Sequence, residues 1–349
     1  MSDFYQCVFA KDVFQNVYDE NGKYDLNPQT KLLAFADRDN PAVPAAHENY
    51  CFRKDILSDV LSFLMRPNGD ALYVSGPTGS GKTSIVTEAA ARLNWPVQQL
   101  TLNSRFEFSE LKGQFTVASV REGGPAEMRF MHGPLATAMK YGHILLLNEI
   151  DLADPGELSG LNDVLEGRPL VIAENKGEII KPHPMFRVVV TGNSFGSGDP
   201  TGLYQGVVQQ NVAALDRYRF LYVGYPDETV ESALLEKEMP EAAPEVRKLM
   251  IKLAREVRTL FLGEDGLGSG ALSATMSTRC LVRWARLSRD FRYEKHPLKE
   301  ALKRALLLRL EPAEAATINN LATAIFGAVW DDESSEKKPA SRSRKKADE

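Results

Sequence analysis

The stretch that most restricts the fold is "GPTGSGKT", formed by Gly76, Pro77, Thr78, Gly79, Ser80, Gly81, Lys82 and Thr83. It follows a short apolar run, "ALYVS" (71–75), and leads into a helical pattern, "KTSIVTEAAARLN" (82–94). A glycine-rich turn between a buried strand and a helix start aims backbone N–H groups and the positive end of the helix dipole at one point. That arrangement is a phosphate cradle, and the flanking strand and helix supply the context the pattern requires. Lys82 is placed to reach the outer phosphates, and the Thr83 hydroxyl suits Mg²⁺. Such a loop demands an α/β fold whose first core strand ends at it.

Further along, "PVQQLTLN" (96–103), "HILLLNEI" (143–150), "FRVVVTGN" (186–193) and "RFLYVGY" (219–225) join "ALYVS" as apolar runs separated by helical or irregular stretches. Near-continuous apolar strands alternating with helices predict a parallel sheet covered on both faces. One helix is well marked: Asp154 as N-cap, Pro155 in the first turn, Leu158, Leu161, Val164 and Leu165 on one face, and Gly167 as the stop. Two insertions, "VASVREGGPAEMRF" (117–130) and "RPLVIAENKGEIIKPHP" (168–184), each read as two short strands around a glycine-containing turn. After Asp227 the strands stop, and Val246, Leu249, Met250, Leu253, Val257, Leu260 and Phe261 recur at helical spacing. The expected organisation is an N-terminal segment at 1–60 with no assignable fold, an α/β core at 61–227, an all-α domain at 228–330 and a disordered tail at 331–349. The tail carries six acidic and six basic residues with almost no apolar ones, too little to offset the entropy of ordering.

Candidate site residues follow from the strand ends. Glu149 ends the third run, on the same rim as the phosphate loop, where a carboxylate can orient or activate an attacking water. Just before it stands Asn148, where an Asp would ordinarily hold Mg²⁺ through water. Asn193 ends the next run, and its amide can bond a γ-phosphate or the water. "LDRYRF" (215–220) places Arg217 and Arg219 before the fifth run, and a planar guanidinium suits a phosphate. In "STRCLVRWARLSRDFR", Arg279, Arg283, Arg286 and Arg289 share one helix face, while Leu281, Trp284, Leu287 and Phe291 form an apolar stripe. Arg279, at the helix start, is the one able to reach toward a nucleotide.

Composition mainly excludes. With 43% hydrophobic and 26% charged residues and a formal charge of −5, the chain is neither disordered nor basic enough to mark a nucleic-acid binder. Cys7, Cys51 and Cys280 are far apart, without metal or redox spacing. No apolar run approaches membrane-spanning length, and Asp3 sits where a signal peptide would be basic. A cytoplasmic protein is expected.

Taken together, "GPTGSGKT", "ARLNWP", "GPLATA", "HPMFRVVVTGN", "GSGDPTGLYQG" with "QQN", and "LDRYRF" resemble the AAA+ ATPases. The resemblance is to their MoxR-like branch, which contains the small subunit of aerobic cobaltochelatase (CobS), and it runs from about Asp12 to Trp330. It implies a P-loop core with strand order 5-1-4-3-2 and a helical lid, binding ATP with Mg²⁺. It also implies that both insertions face the pore of a ring. By family position Asn193 resembles sensor 1, Arg217 the arginine finger with Arg219 as second candidate, and Arg279 the sensor 2 arginine. Members generally form hexamers and often act with a partner carrying a von Willebrand factor A domain, remodelling or loading metal into a target. Asn148 departs from the family's Walker B Asp, together with which Thr83 would serve the metal.

Three readings stay open on sequence: an ATP-hydrolysing remodelling factor, a nucleotide-gated assembly scaffold that hardly turns ATP over, and a nucleic-acid-associated motor subunit. The net charge argues against nucleic acid as partner.

Overall fold

The computed structural model describes residues 5–119, 126–198, 206–263, 270 and 272–331. Arg121 and Glu122 of the first insertion, residues 199–205 of the glycine-rich run and the tail beyond Asp331 lie outside them.

Five strands form the central sheet: β1 (Ala71–Ser75), β2 (Val97–Thr101), β3 (Ile144–Asn148), β4 (Arg187–Gly192) and β5 (Tyr218–Tyr222). Their order is β5-β1-β4-β3-β2, as expected, and every neighbouring pair is parallel. The apolar runs are continuous because alternate residues enter two different cores. Leu72, Val74, Ile144, Leu146 and Val189 bury on one face; Ala71, Tyr73, Leu145, Leu147, Val188 and Val190 bury on the other. Each buried Val, Leu or Ile among them contributes roughly 1.5–3 kcal/mol. Parallel pairing also aligns the strand ends, so Ser75, Asn148 and Gly192 share one rim.

Residues 5–60 finish one face of this sheet. Strands Tyr5–Phe9 and Lys31–Phe35 pair antiparallel, and Phe14, Val17, Phe35 and Phe52 join Leu57 and Phe63 of the helix Lys54–Met65 in the core that holds Leu72 and Val74. The helix marked by Asp154 forms in pieces, Pro155–Leu158, a tight turn at Ser159–Leu161, and Asn162–Leu165. Asp154 caps it by accepting from Gly156 N at 2.6 Å, and Ser159 Oγ bonds back to Gly156 O at 2.6 Å. Back-bonding of that kind bends helices.

Both insertions are antiparallel hairpins, Gly113–Ser119 with Ala126–His132 and Leu170–Ile172 with Glu178–Ile180. Polar contacts link them: Lys112, just before the first hairpin, bonds Glu174 Oε1, and His132 Nε2 lies by Glu178 Oε2, each at 2.7 Å.

The chain divides into two compact units, Met1–Ala233 and Leu234–Glu349. The second is helical, with helices Pro244–Leu262, Thr278–Asp290, Pro297–Ala305 and Pro312–Phe326. Met250, Leu253, Val257 and Phe261 are buried as their spacing requires, and Trp284 packs near Phe326. Among the described residues, no helix is long and apolar enough to cross a membrane.

Candidate active site

Three strand ends and one loop build the site. Beyond Ser75 the chain turns through the phosphate loop into the helix Lys82–Arg92. Gly76 has φ +152°, and a Cβ there would stand 2.2 Å from the Val223 carbonyl oxygen. Only glycine fits that approach. Ser80 Oγ is buried without a hydrogen-bond partner. A buried hydroxyl left so costs about 1–3 kcal/mol, and a phosphate oxygen in the loop would satisfy it. Lys82 folds back over the loop, its Nζ donating to Gly76 O at 2.8 Å, Pro77 O at 3.1 Å and Asn193 Oδ1 at 2.9 Å.

Asn193, just past β4, links the loop to the catalytic candidate. Its Nδ2 donates to Glu149 Oε2 at 2.9 Å, so one carboxamide touches both the loop lysine and the strand-end carboxylate. Glu149 itself sits at φ 56°, ψ 45°, in the left-handed region. For a residue with a side chain this costs of order 1–3 kcal/mol. The bend ends β3 sharply at the candidate carboxylate.

Asn148 is buried, and its Oδ1 accepts from Thr83 Oγ1 at 2.8 Å and Thr191 Oγ1 at 3.1 Å. Thr83 and Asn148 thus present a pair of hard, uncharged oxygens that suits Mg²⁺. No group of three or more His, Cys, Asp or Glu side chains forms a metal site among the described residues. Thr83 and Asn148 are the side chains that would hold such an ion, which would supply positive charge to the phosphate oxygens. Compared with an Asp, Asn148 keeps the acceptor atom and lacks the charge.

Lys82, Thr83, Asn148, Glu149 and Asn193 therefore converge, as their strand-end positions require. Arg217 and Arg219 lie elsewhere. The Arg217 carbonyl accepts from Ala71 N at 3.1 Å and Arg219 stands beside Leu72, whereas the phosphate loop leaves β1 after Ser75. At about 3.3 Å per residue, both sit roughly 10–20 Å down the sheet, on the opposite rim. Arg217 binds Glu166, with Nε to Oε1 at 3.0 Å, and that hydrogen bond holds the Glu166 carboxyl below its usual range. Arg219 bonds Asp70 at 3.1 Å and lies over the Phe63 ring. Arg279 is exposed, in the first turn of the helix Thr278–Asp290 of the second unit.

Sequence reasoning missed two polar groups buried within the strands. Tyr73 OH and Thr191 Oγ1 point polar atoms into an otherwise aliphatic sheet, toward Asp151 and Asn148. Burial, then the Asp151 charge, push the Tyr73 hydroxyl far above its ordinary pKa. A tyrosine in "ALYVS" and a threonine in "VVVTG" were the available signals, since a buried polar atom needs a partner.

Residues 71–204 match the AAA domain of the dynein-related subfamily, and residues 231–325 match the CbbQ/NirQ/NorQ C-terminal region. The aerobic cobaltochelatase subunit CobS of Sinorhizobium sp is 29% identical over 267 residues, covering 75% of this chain and 77% of that one. Together these matches support an AAA+ ATPase similar to those of the MoxR and CobS type. An uncharacterized protein of Staphylococcus saprophyticus is 28% identical over 267 residues, 76% of this chain and 94% of its own length. Among solved structures, a RuvB mutant of Thermotoga maritima aligns at a TM-score of 0.45 and 13% identity, over 77% of this chain and 68% of that one. For an AAA+ protein the phosphate loop means nucleotide binding, and the family supports ATPase activity in general.

Proposed function

We propose that this AAA+ protein hydrolyses ATP to remodel a protein client, working in the cytoplasm as a hexameric ring beside a partner that carries a von Willebrand factor A domain. In this reading Gly76, Pro77, Thr78, Gly79, Ser80 and Gly81 wrap the phosphates, and Lys82 binds the outer ones. Thr83 and Asn148 serve Mg²⁺, Glu149 activates the water, and Asn193 senses the γ-phosphate. Arg217, with Arg219 as second candidate, completes a neighbour's site, and Arg279 is a further nucleotide-binding candidate.

The observation that carries the ring is the distance between rims. A chain whose Lys82, Asn193 and Glu149 are assembled at one end of the sheet, with Arg217 at the other, suits a finger supplied to the next subunit. Such arginines are worth about 10³–10⁵-fold in turnover. Arg217→Ala should lose activity on that scale. Mixing Arg217→Ala with Glu149→Gln subunits should restore part of it, at interfaces where each contributes its intact half. An active monomer ends this reading.

The scaffold reading is favoured by Asn148 alone. Against the nucleic-acid reading stand the net charge of −5 and the pairing of Arg286 with Glu238 through two bonds of 2.7 Å. Steady-state ATPase assays with and without DNA separate the three.

A further inference from the structure

One buried carboxylate at the phosphate rim has no part in the chemistry proposed above. Asp151 is fully buried, and a buried carboxylate is tolerated only when well supplied with donors. It has three: the Tyr73 hydroxyl from β1, Asn193 N at 2.6 Å and Ser194 N at 2.8 Å, the last two just past β4. Its own main-chain carbonyl accepts from Val208 N at 2.8 Å. Gly192 makes room for it: a Cβ there would stand 2.5 Å from the Tyr73 hydroxyl and 2.7 Å from each Asp151 carboxylate oxygen. The two N–H bonds fix the direction in which the chain leaves β4. They therefore fix where the Asn193 carboxamide sits between Lys82 and Glu149.

We infer that Asp151 is a positioning residue for hydrolysis, a buried clamp that sets Asn193 against Glu149 and Lys82 without touching the nucleotide. The inference rests on Asn193 and Glu149 taking part in hydrolysis. A clamp of this kind governs kcat more than ATP affinity, because a displacement of about 1 Å at a catalytic group costs on the order of 10²-fold in rate. A carboxylate that only staples the sheet would lower thermal stability and leave the geometry of surviving molecules unchanged.

The test uses the full chain. Asp151→Asn should lower kcat about 10- to 100-fold while KM and the affinity for a fluorescent ATP analogue stay within about threefold. In an Asn193→Ala background the same change should cost nothing further, because two substitutions acting through one group are not additive. Amide hydrogen exchange at Asn193 and Ser194 in nucleotide-free protein should accelerate about tenfold, a readout independent of turnover. Tyr73→Phe removes one donor and keeps the carboxylate, so it serves if Asp151→Asn does not fold. It should give a smaller kcat loss, again absent in the Asn193→Ala background. Equal losses with and without Asn193, or unchanged exchange at Asn193 and Ser194, overturn the inference. If the wild type shows no turnover above Glu149→Gln, the hydrolysis reading fails, and the exchange measurement still decides whether Asp151 is the clamp.

Discussion

The phosphate rim and the two inserted hairpins are built on opposite terms. At the rim, side chains from three strand ends bond to one another, and Lys82, Asn148 and Asp151 are buried while doing so. On the hairpins, Phe115, Val117, Met128 and Met131 of the first and Val171 and Ile179 of the second are exposed apolar side chains. A few partly solvated polar contacts, Lys112–Glu174 and His132–Glu178 among them, link the hairpins. Pairs of that sort contribute about 0–1 kcal/mol. The rim is thus organised before any ligand arrives, whereas the hairpins offer apolar surface of the kind that marks an interaction site.

If the contrast is sound, changes at the rim alter chemistry and changes at the hairpins spare it. The largest effect belongs to Glu149→Gln, which should lower turnover about 10²–10⁴-fold while a fluorescent ATP analogue still binds. Loss of binding alongside turnover would mean that the rim is not preorganised. Next is Asn148→Asp, which restores the missing charge beside Thr83. It should reduce the Mg²⁺ concentration for half-maximal ATPase by about 10- to 100-fold and raise kcat. No change in the Mg²⁺ titration would show that the charge at this position is idle.

A third experiment leaves the rim for the far end of β3. Burial, and then the nearby His183, lower the His143 pKa to about 4, against about 6.5 in an unfolded chain. His143 Nδ1 lies 3.1 Å from Gln98 Nε2. The unfolded state therefore binds the extra proton between these two values, so stability is full above about pH 6.5 and falls as the pH drops toward 4, by roughly 2–3 kcal/mol. Urea titrations across that window should show the loss, and His143→Gln should flatten it without changing kcat at neutral pH. The smallest effect on basal activity is expected from replacing Glu174 to Gly177 with a short Gly-Ser turn. Basal ATPase should stay within about twofold, while stimulation by a partner disappears. A matching fall in basal turnover would join the hairpin to the catalytic fold and dissolve the contrast.

Legibility in the sequence followed the range of the interactions. The five strands were readable because burial on both faces leaves a continuous apolar run, and the phosphate loop because its glycines, lysine and flanking elements are contiguous. Residues 5–60 were not. Their strands are only two to five residues long, and Phe14, Val17 and Phe52 gain their stabilisation from a sheet formed by later residues. The convergence of Lys82 with Glu149 and Asn193 was legible from strand ends alone. The bonds of Asp151 to Tyr73 and to the main chain after β4 span 78, 42 and 43 residues, and no local pattern announces them. Arg217 was legible as a phosphate-binding candidate, but only the strand register placed it on the opposite rim.

The left-handed backbone at Glu149 sets catalysis against robustness. On conformational grounds alone glycine is the favoured residue there, worth about 1 kcal/mol or more once the side-chain clash is removed. The position where a stability screen would reward change is the one that the proposed reaction needs unchanged. Selecting this chain only for heat resistance would drift toward sturdier, inert proteins. Persistence of a glutamate in so awkward a conformation is what selection for turnover, rather than for folding, would maintain.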